Sequence, residues 1–257
     1  MPDSQNDMPP EAAAAALAWL AEMGAGEIIG ETAIDRLAPP LALAAAAADP
    51  LPPTPPAAGG SVENCQNLDE IAAALSRFDT CPLKKTATNL CYYDGNPAAR
   101  VMLVGEAPGR DEDIQGKPFV GRSGQLLDRM LAAIGLSRQS DDCETAVFIT
   151  NVIFWRPPGN RTPTEAETTM CLPFLLRTID IQRPDFIVCL GATPAHRLTG
   201  RSDGILKMRG KWIEATVSGR KIPLLPTLHP AYLLRQPGQK RLAWRDMLAL
   251  RQALDAH

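Results

Sequence analysis

The sequence predicts an α/β fold with a parallel sheet. Apolar runs of strand length alternate with helical patterns of about 12 to 18 residues, and this alternation is typical of βαβ units. Each run ends in a polar or glycine-rich loop, and such loops collect ligands in open α/β sheets. The chain has 257 residues, of which 45% are hydrophobic, so it can bury a large core. A disulfide-stapled miniprotein and a chain that is disordered throughout are both excluded.

Four apolar runs are the predicted strands, and a helical pattern follows each of them. The strands span residues 101–105, 147–152, 186–191 and 222–228. The helices span residues 123–136, 164–181, 193–198 and 240–256. Because a crossover helix is the usual connection between parallel strands, this order predicts that the four strands lie parallel.

The N-terminal part of the chain differs in composition from the rest. Residues 11–23 are alanine-rich and include Trp19, which predicts a helix. Five prolines within residues 50–56 predict an extended linker. We therefore divide the chain into an Ala/Pro-rich extension and linker, residues 1–60, and a main domain, residues 62–257.

Charge is divided unequally along the chain when it is split at residue 80. Residues 1–80 carry 2 Lys and Arg against 12 Asp and Glu, whereas residues 81–257 carry 24 against 17. A basic globular part behind an acidic leader indicates an anionic partner such as nucleic acid, although a solvated surface of mixed charge explains the same numbers equally well. The acidic start and the absence of any run of 18 apolar residues predict a soluble intracellular protein without a secretory signal or membrane span.

The cysteines are expected to be reduced thiols or metal ligands, because we expect an intracellular protein. No pair has the CxxC spacing. The six residues are Cys65, Cys81, Cys91, Cys143, Cys171 and Cys189.

Two loops near the first predicted strand carry candidate ligand-binding groups. The segment GEAPG, residues 105–109, can aim backbone N–H groups at a carbonyl or an anion, and its Glu106 supplies a carboxylate. The next segment holds Phe119 between glycine-flanked turns, where an aromatic ring can stack on a planar group. An acidic surface turn and a core phenylalanine are the ordinary alternatives.

Two further candidates follow the second and fourth strands. Asn151 offers a donor and an acceptor, as reading the edge of a pyrimidine requires, and asparagine is otherwise unfavourable in a strand. His229 precedes Pro230, which restricts its backbone at the edge of the sheet. A lone histidine is more often structural than functional, so His229 alone indicates little.

Taken together, these segments resemble the uracil-DNA glycosylase superfamily, most closely its family 4, the bacterial and archaeal branch. The motifs GEAPG, GKPFVGRSGQLLD, ITNVIFWRPPGNRTP, MRGKW and HPAYLLR match that branch in order and spacing over residues 78–255. The resemblance implies a three-layer α/β/α sandwich with a central four-stranded parallel sheet. It also implies a monofunctional DNA glycosylase that flips and excises uracil in base excision repair.

The resemblance assigns roles to individual residues. Phe119 corresponds to the aromatic that stacks on the flipped uracil, Asn151 to the side chain that reads its edge, and His229 to the donor to uracil O2. The best-studied branch has Asp where this chain has Ala107, so Glu106 is the candidate catalytic carboxylate, as a general base or as electrostatic support. The segment that faces O2 and holds the catalytic water contains Gly105, Glu106, Ala107 and Gly109.

The resemblance also implies a DNA-binding surface. Either Leu233 or Leu234 corresponds to the wedge that fills the gap in the base stack. Five basic residues are candidate phosphate contacts: Arg156, Arg161, Arg235, Lys240 and Arg241. At least half of them are expected to be ordinary exposed side chains. Uracil-containing DNA is the implied partner, and we expect a monomer in the cytoplasm, associated with the nucleoid.

The chain departs from family 4 at the iron-sulfur site. Members of that branch usually carry a 4Fe-4S cluster on four cysteines, but Phe78 and Trp155 stand at two of those positions here, which leaves Cys81 and Cys171. Two thiolates cannot hold a cluster that needs four. We therefore expect no metal or other cofactor, with the two aromatic side chains filling the volume.

One alternative function depends on these departures. The missing ligands and Ala107 keep open an alternative function, a protein that binds uracil or abasic sites in DNA without turnover. The basic KRRIH insertion of the covalent crosslinking branch is absent after Arg156, so no stable covalent adduct is expected. The N-terminal extension, with Trp19 in its predicted helix, is a candidate docking segment for a replication or repair partner.

Overall fold

The computed structural model describes residues 62–256. The helix predicted at 11–23, the linker and His257 lie outside these residues. The strands are β1 (Tyr93–Gly95), β2 (Val101–Gly105), β3 (Val147–Asn151), β4 (Phe186–Leu190), β5 (Ile213–Val217) and β6 (Arg220–Thr227). The α-helices are α1 (Leu68–Arg77), α2 (Arg110–Gln115), α3 (Arg122–Ala132), α4 (Glu165–Gln182), α5 (Ala192–Thr199), α6 (Ile205–Met208), α7 (Pro230–Arg235) and α8 (Lys240–Asp255).

One six-stranded sheet has the order β1-β3-β2-β4-β6-β5. The four predicted strands, β2, β3, β4 and β6, are parallel to one another, as expected. The sheet also has two edge strands that the sequence did not predict, because β1 pairs antiparallel with β3 and β5 pairs antiparallel with β6. Both edge strands are only partly buried, so neither has the continuous apolar run by which the central strands were recognised.

Helices cover both faces of the sheet. In β2, Met102 and Val104 pack on one side with α1, α4 and α5, whereas Val101 and Leu103 pack on the other with α3 and α8. This alternation follows from the two-residue period of a strand. The domain is therefore the expected three-layer α/β/α sandwich, with two apolar cores separated by the sheet.

The four predicted helices correspond to α3, α4, α5 and α8. Helix α3 ends at Ala132, earlier than expected, and Gly135 follows in the left-handed conformation with φ of 76°. Helix α4 begins with a capping box, in which Thr164 accepts a hydrogen bond from the Glu167 backbone N–H and Glu167 accepts one from Thr164. Within residues 62–256, none of the helices combines the length and the apolar character that crossing a bilayer requires.

Candidate active site

A cleft of about 700 Å³ opens at the carboxyl ends of the parallel strands. Register explains this position, because Val104 of β2 lies beside Thr150 of β3 and Cys189 of β4, so these strands end level with one another. The loops that follow the strands form the walls of the cleft. Four candidates from four separate segments line it together: Glu106, Phe119, Asn151 and His229.

Gly105 makes room for two of these side chains. A Cβ atom on Gly105 would lie 2.3 Å from Asn151 Oδ1 and 2.5 Å from Phe119 Cζ, so any larger residue would displace them. The phenyl ring and the amide therefore meet over the same glycine at the end of β2. Ala107 and Gly109, also candidates, line the cleft beyond it.

Phe119 is held in an unusual backbone conformation beside His229. Its φ angle is 54°, in the left-handed region that non-glycine residues rarely adopt. Its ring centroid lies 5.6 Å from that of the His229 imidazole, with 32° between the ring planes. Gly124 permits this backbone path, because a Cβ there would lie 1.8 Å from the Phe119 carbonyl oxygen. Phe119 is 5% exposed and packs in the apolar core as well as lining the cleft, which thus has an aromatic ring beside an imidazole.

Asn151 is almost fully buried, with 1% of its surface exposed. Its Oδ1 has no hydrogen-bond partner in residues 62–256. Leaving a buried polar atom unpaired costs free energy. Two other such atoms occur in the described residues, Gln182 Oε1 and Arg220 Nη2, but neither residue lines the cleft. Because Asn151 lines the cleft, a ligand with an N–H group can satisfy its Oδ1.

His229 is neutral and has a defined tautomer. Its Nδ1 accepts a hydrogen bond of 3.1 Å from the Ala231 backbone N–H and caps helix α7, so the ring proton lies on Nε2. The residue is half-buried, yet it lies deep enough among protein atoms that desolvation lowers its pKa to about 4, and the Arg235 charge adds a smaller effect. At neutral pH the imidazole therefore offers Nε2–H as a donor.

Glu106 is oriented by a residue that the sequence analysis missed. Thr193 Oγ1, on helix α5, donates a hydrogen bond of 2.7 Å to Glu106 Oε2. The backbone is fixed as well, because the Ile153 N–H donates to the Glu106 carbonyl oxygen at 3.0 Å. The carboxylate thus has one defined direction on the wall of the cleft.

The five candidate phosphate contacts fall into two groups. Arg161 forms a bidentate ion pair with Glu167, at 2.6 and 2.9 Å, and this pairing lowers the pKa of Glu167 to about 2. Arg156 Nε donates to Asn160 Oδ1 at 2.7 Å. The other three are exposed, and in the described part of the chain their side chains form neither ion pairs nor hydrogen bonds: Arg235, Lys240 and Arg241.

The structure distinguishes between the two candidate wedge residues. Leu233 is fully buried and packs with Leu126, Leu228 and Ala243, so the expectation that it inserts into DNA is corrected. A side chain in the core is not available to fill a gap in a base stack. Leu234 is only partly buried and remains the candidate.

The four positions of the expected cluster ligands do lie close together. Phe78 and Trp155 stack, with ring centroids 6.4 Å apart and planes 22° apart. A hydrogen bond between the Cys81 and Cys171 thiols lowers the pKa of Cys81 to about 7 and raises that of Cys171. All six cysteines are free, and residues 62–256 contain no group of three or more side chains able to hold a metal. Two thiols and two rings do not fit a 4Fe-4S cluster.

Comparison with known proteins identifies the family. A sequence model of the uracil DNA glycosylase superfamily matches residues 92–248. The chain is 42% identical over 176 residues to a type-4 uracil-DNA glycosylase of Archaeoglobus fulgidus, covering 67% of this chain and 85% of that protein. It is 40% identical over 195 residues to a type-4 uracil-DNA glycosylase of Saccharolobus solfataricus, covering 74% and 88%. The chain therefore belongs to the uracil-DNA glycosylase superfamily, and within it to the type-4 branch.

Proposed function

We propose that this protein is a monofunctional uracil-DNA glycosylase, which flips uracil out of DNA and hydrolyses its N-glycosidic bond to leave an abasic site. The observation that carries the proposal is the buried Oδ1 of Asn151, which has no partner in the described part of the chain and lies near the Phe119 ring and a neutral His229. The type-4 uracil-DNA glycosylases to which the chain is similar support the same activity.

Base recognition follows from the chemistry of the Asn151 amide. Uracil has a donor at N3–H and an acceptor at O4, which complement the amide oxygen and the amide NH₂. Cytosine has an acceptor at N3 and a donor at N4, so both contacts would be mismatched. Stacking on Phe119 adds affinity for a planar ring and offsets part of the cost of unstacking the base, about a few kcal/mol.

Bond cleavage needs charge stabilisation at two places. Negative charge develops on uracil O2, where the His229 Nε2–H and backbone N–H groups of residues 105–109 are the donors. Positive charge develops on the sugar, where the Glu106 carboxylate, oriented by Thr193, is the nearby anion. We propose that Glu106 also holds the water that attacks the sugar.

DNA is held by the exposed cations near helix α7. Arg235, Lys240 and Arg241 are unpaired in the described residues and are the proposed phosphate contacts, while Leu234 fills the gap that the flipped base leaves. Arg161 contributes only if DNA displaces Glu167, whereas Arg156 is bound through Nε alone and keeps its Nη groups for a phosphate.

We also propose how the chain is organised and where it works. Residues 62–257 are the catalytic domain, acting as a monomer on DNA in the cytoplasm, and residues 1–60 dock a protein partner. A variant without residues 1–60 should therefore excise uracil at the same rate as the full chain. A loss of excision would contradict this division.

The chain is proposed to work without an iron-sulfur cluster. Phe78 packs against Trp155 and Phe174 at the place where the cluster would lie, and only two thiols remain there. Protein purified without oxygen should contain no stoichiometric iron and show no broad absorbance near ~400 nm. Either signal would contradict the proposal.

The activity is tested with an end-labelled oligonucleotide that carries one central uracil, followed by hot alkali to cut abasic sites. Cleavage should depend on uracil and should fall in both His229→Ala and Glu106→Ala. His196→Ala is the matched control, because His196 binds the Asp203 carbonyl oxygen and does not line the cleft. No cleavage, with uracil-dependent gel retardation intact, would instead indicate a DNA-binding protein without turnover.

A further inference from the structure

Glu112 borders the cleft, unlike the acidic residues on either side of it. In the run Asp111-Glu112-Asp113 on helix α2, Asp111 is exposed, whereas Glu112 and Asp113 are both buried, with 8% and 4% of their surface exposed. Both of its carboxylate oxygens accept hydrogen bonds from backbone N–H groups. Oε2 binds the N–H of Gly109 at 3.1 Å, and Oε1 binds those of Val120 and Gly121 at 3.0 and 2.9 Å.

These three bonds join two parts of the site. Gly109 belongs to the loop that follows β2 and carries Glu106, whereas Val120 and Gly121 directly follow Phe119. Glycine permits the close approach at both ends, because a Cβ on Gly109 would lie 2.8 Å from Glu112 Oε2 and one on Gly121 would lie 3.3 Å from Oε1. One buried carboxylate therefore fixes the distance between the two loops.

Arg138 holds the same segment from the carbonyl side. Its Nη1 donates to the Pro118 carbonyl oxygen at 3.0 Å, and its Nη2 donates to that of Phe119 at 2.9 Å. Ion pairs with Asp94 and Asp128 anchor the guanidinium, whose side chain is only 9% exposed. The backbone around Phe119 thus has its carbonyl groups bound by a cation and its following N–H groups bound by an anion.

This arrangement explains how Phe119 keeps its left-handed backbone. A φ of 54° is unfavourable for a residue with a side chain, so it persists only where surrounding contacts hold it. Glu112 and Arg138 supply such contacts on both sides. Without them, the segment would relax and the ring would leave its place beside His229.

We propose that Glu112 is a positioning residue, which holds the Phe119 ring and the loop of residues 105–109, which faces uracil O2, in their reactive geometry before DNA binds. This inference rests on the proposed function and deepens it. Both carboxylate oxygens are already engaged by backbone groups, so Glu112 acts through Phe119 and Gly109. The protein does not have to order these loops when the base enters, and the reacting groups are therefore preorganised.

The test compares Glu112→Gln with Asp113→Asn. Asp113 is a matched control, because it is also a buried carboxylate on α2 and accepts two backbone N–H bonds, from Thr88 and Asn89, but does not border the cleft. Glutamine has one acceptor oxygen, and its NH₂ group would face a backbone N–H. We expect both variants to lower the melting temperature to a similar extent.

The two variants should differ in kinetics. Glu112→Gln should lower the single-turnover rate at saturating DNA by about 10- to 100-fold, as expected when reacting groups are displaced by about an ångström. It should also weaken inhibition by free uracil, because that inhibition measures binding of the base against the Phe119 ring. Asp113→Asn should change both values by less than about twofold. Equal losses in the two variants, or a fall in melting temperature alone, would overturn the proposal.

Two further measurements keep the inference testable. If Glu112→Gln does not fold, Glu112→Asp keeps the charge but is too short to reach both loops, and it should show the same kinetic pattern. If the wild-type protein excises no uracil, the proposed function fails separately. Preference for uracil-containing over thymine-containing DNA in gel retardation then serves as the readout, and it should be lost in Glu112→Gln but not in Asp113→Asn.

Discussion

Replacing Asn151 by alanine should weaken activity and strengthen the fold at the same time. The two effects have opposite signs because Asn151 Oδ1 is buried and has no partner in residues 62–256, and is proposed to pair with N3–H of the bound uracil. Most active-site truncations that expose or empty a buried position lower stability. Asn151→Ala should raise it, because it removes an unsatisfied acceptor.

The structure sets the size of both effects. Loss of two hydrogen bonds to uracil in a buried site costs about 2–3 kcal/mol, which corresponds to a fall in kcat/KM of about 30- to 150-fold. An unpaired buried acceptor costs about 1–3 kcal/mol, partly offset by the packing that truncation removes. A net gain of about 1 kcal/mol should raise Tm by about 2–4 °C for a domain of this size.

Single-turnover excision and thermal melting measure the two effects on the same preparations. Thr150→Val is the matched control, because Thr150 is the preceding buried residue of β3 and its Oγ1 donates to the Tyr92 carbonyl oxygen at 2.7 Å. It should lower Tm and leave excision nearly unchanged. The reasoning would be refuted if Asn151→Ala melted at a lower temperature than the wild type, or if its excision stayed within about threefold.

Four further predictions follow from the structure. Excision should stay level as pH falls to about 5 and decrease near pH 4, because protonation of His229 at Nδ1 then removes the acceptor for the Ala231 N–H and with it the bond that orients the ring; a decrease centred near 6.5 would contradict this. As pH falls from 6.5 towards 4, the unfolded chain protonates His229 before the folded protein does, so the wild type loses stability. The Tm values of wild type and His229→Ala should therefore converge in that range. Thr193→Val should reduce the excision rate by about tenfold, the value of one hydrogen bond to a carboxylate, and an unchanged rate would exclude its role in orienting Glu106. Leu233→Ala should destabilise the fold by about 2–5 kcal/mol in denaturant titrations. Leu234→Ala should be as stable as the wild type, and its excision rate should fall more on duplex DNA than on single-stranded DNA.

The sequence predicted the centre of the sheet well and its edges poorly. Strands β2, β3, β4 and β6 have long apolar runs because helices cover both of their faces. The edge strand Tyr93–Gly95 has only three residues, all partly buried, and forms because β3 offers it backbone partners. Its pairing depends on a tertiary contact, which local sequence does not encode.

The candidate site shows the same division. Glu106, Asn151 and His229 were recognised at or just after the ends of predicted strands, and Phe119 between glycine-flanked turns, with roles that the family resemblance implied. The structure brings all four together. Glu112 was missed because an acidic run reads as solvated surface. Its burial depends on loops that close over it, so nothing in its immediate neighbours distinguished it from Asp111.

The way the cleft is assembled has a consequence for folding. Its groups follow strands from both halves of the domain, and β6, which leads to His229, joins the sheet only through β4 and the edge strand β5. Contacts between distant parts of a chain form late, and parallel sheets are rich in them. A partly folded chain therefore has fragments of the pocket but not the pocket itself. Recovery of enzymatic function during refolding would report completion of the sheet rather than the first appearance of helices.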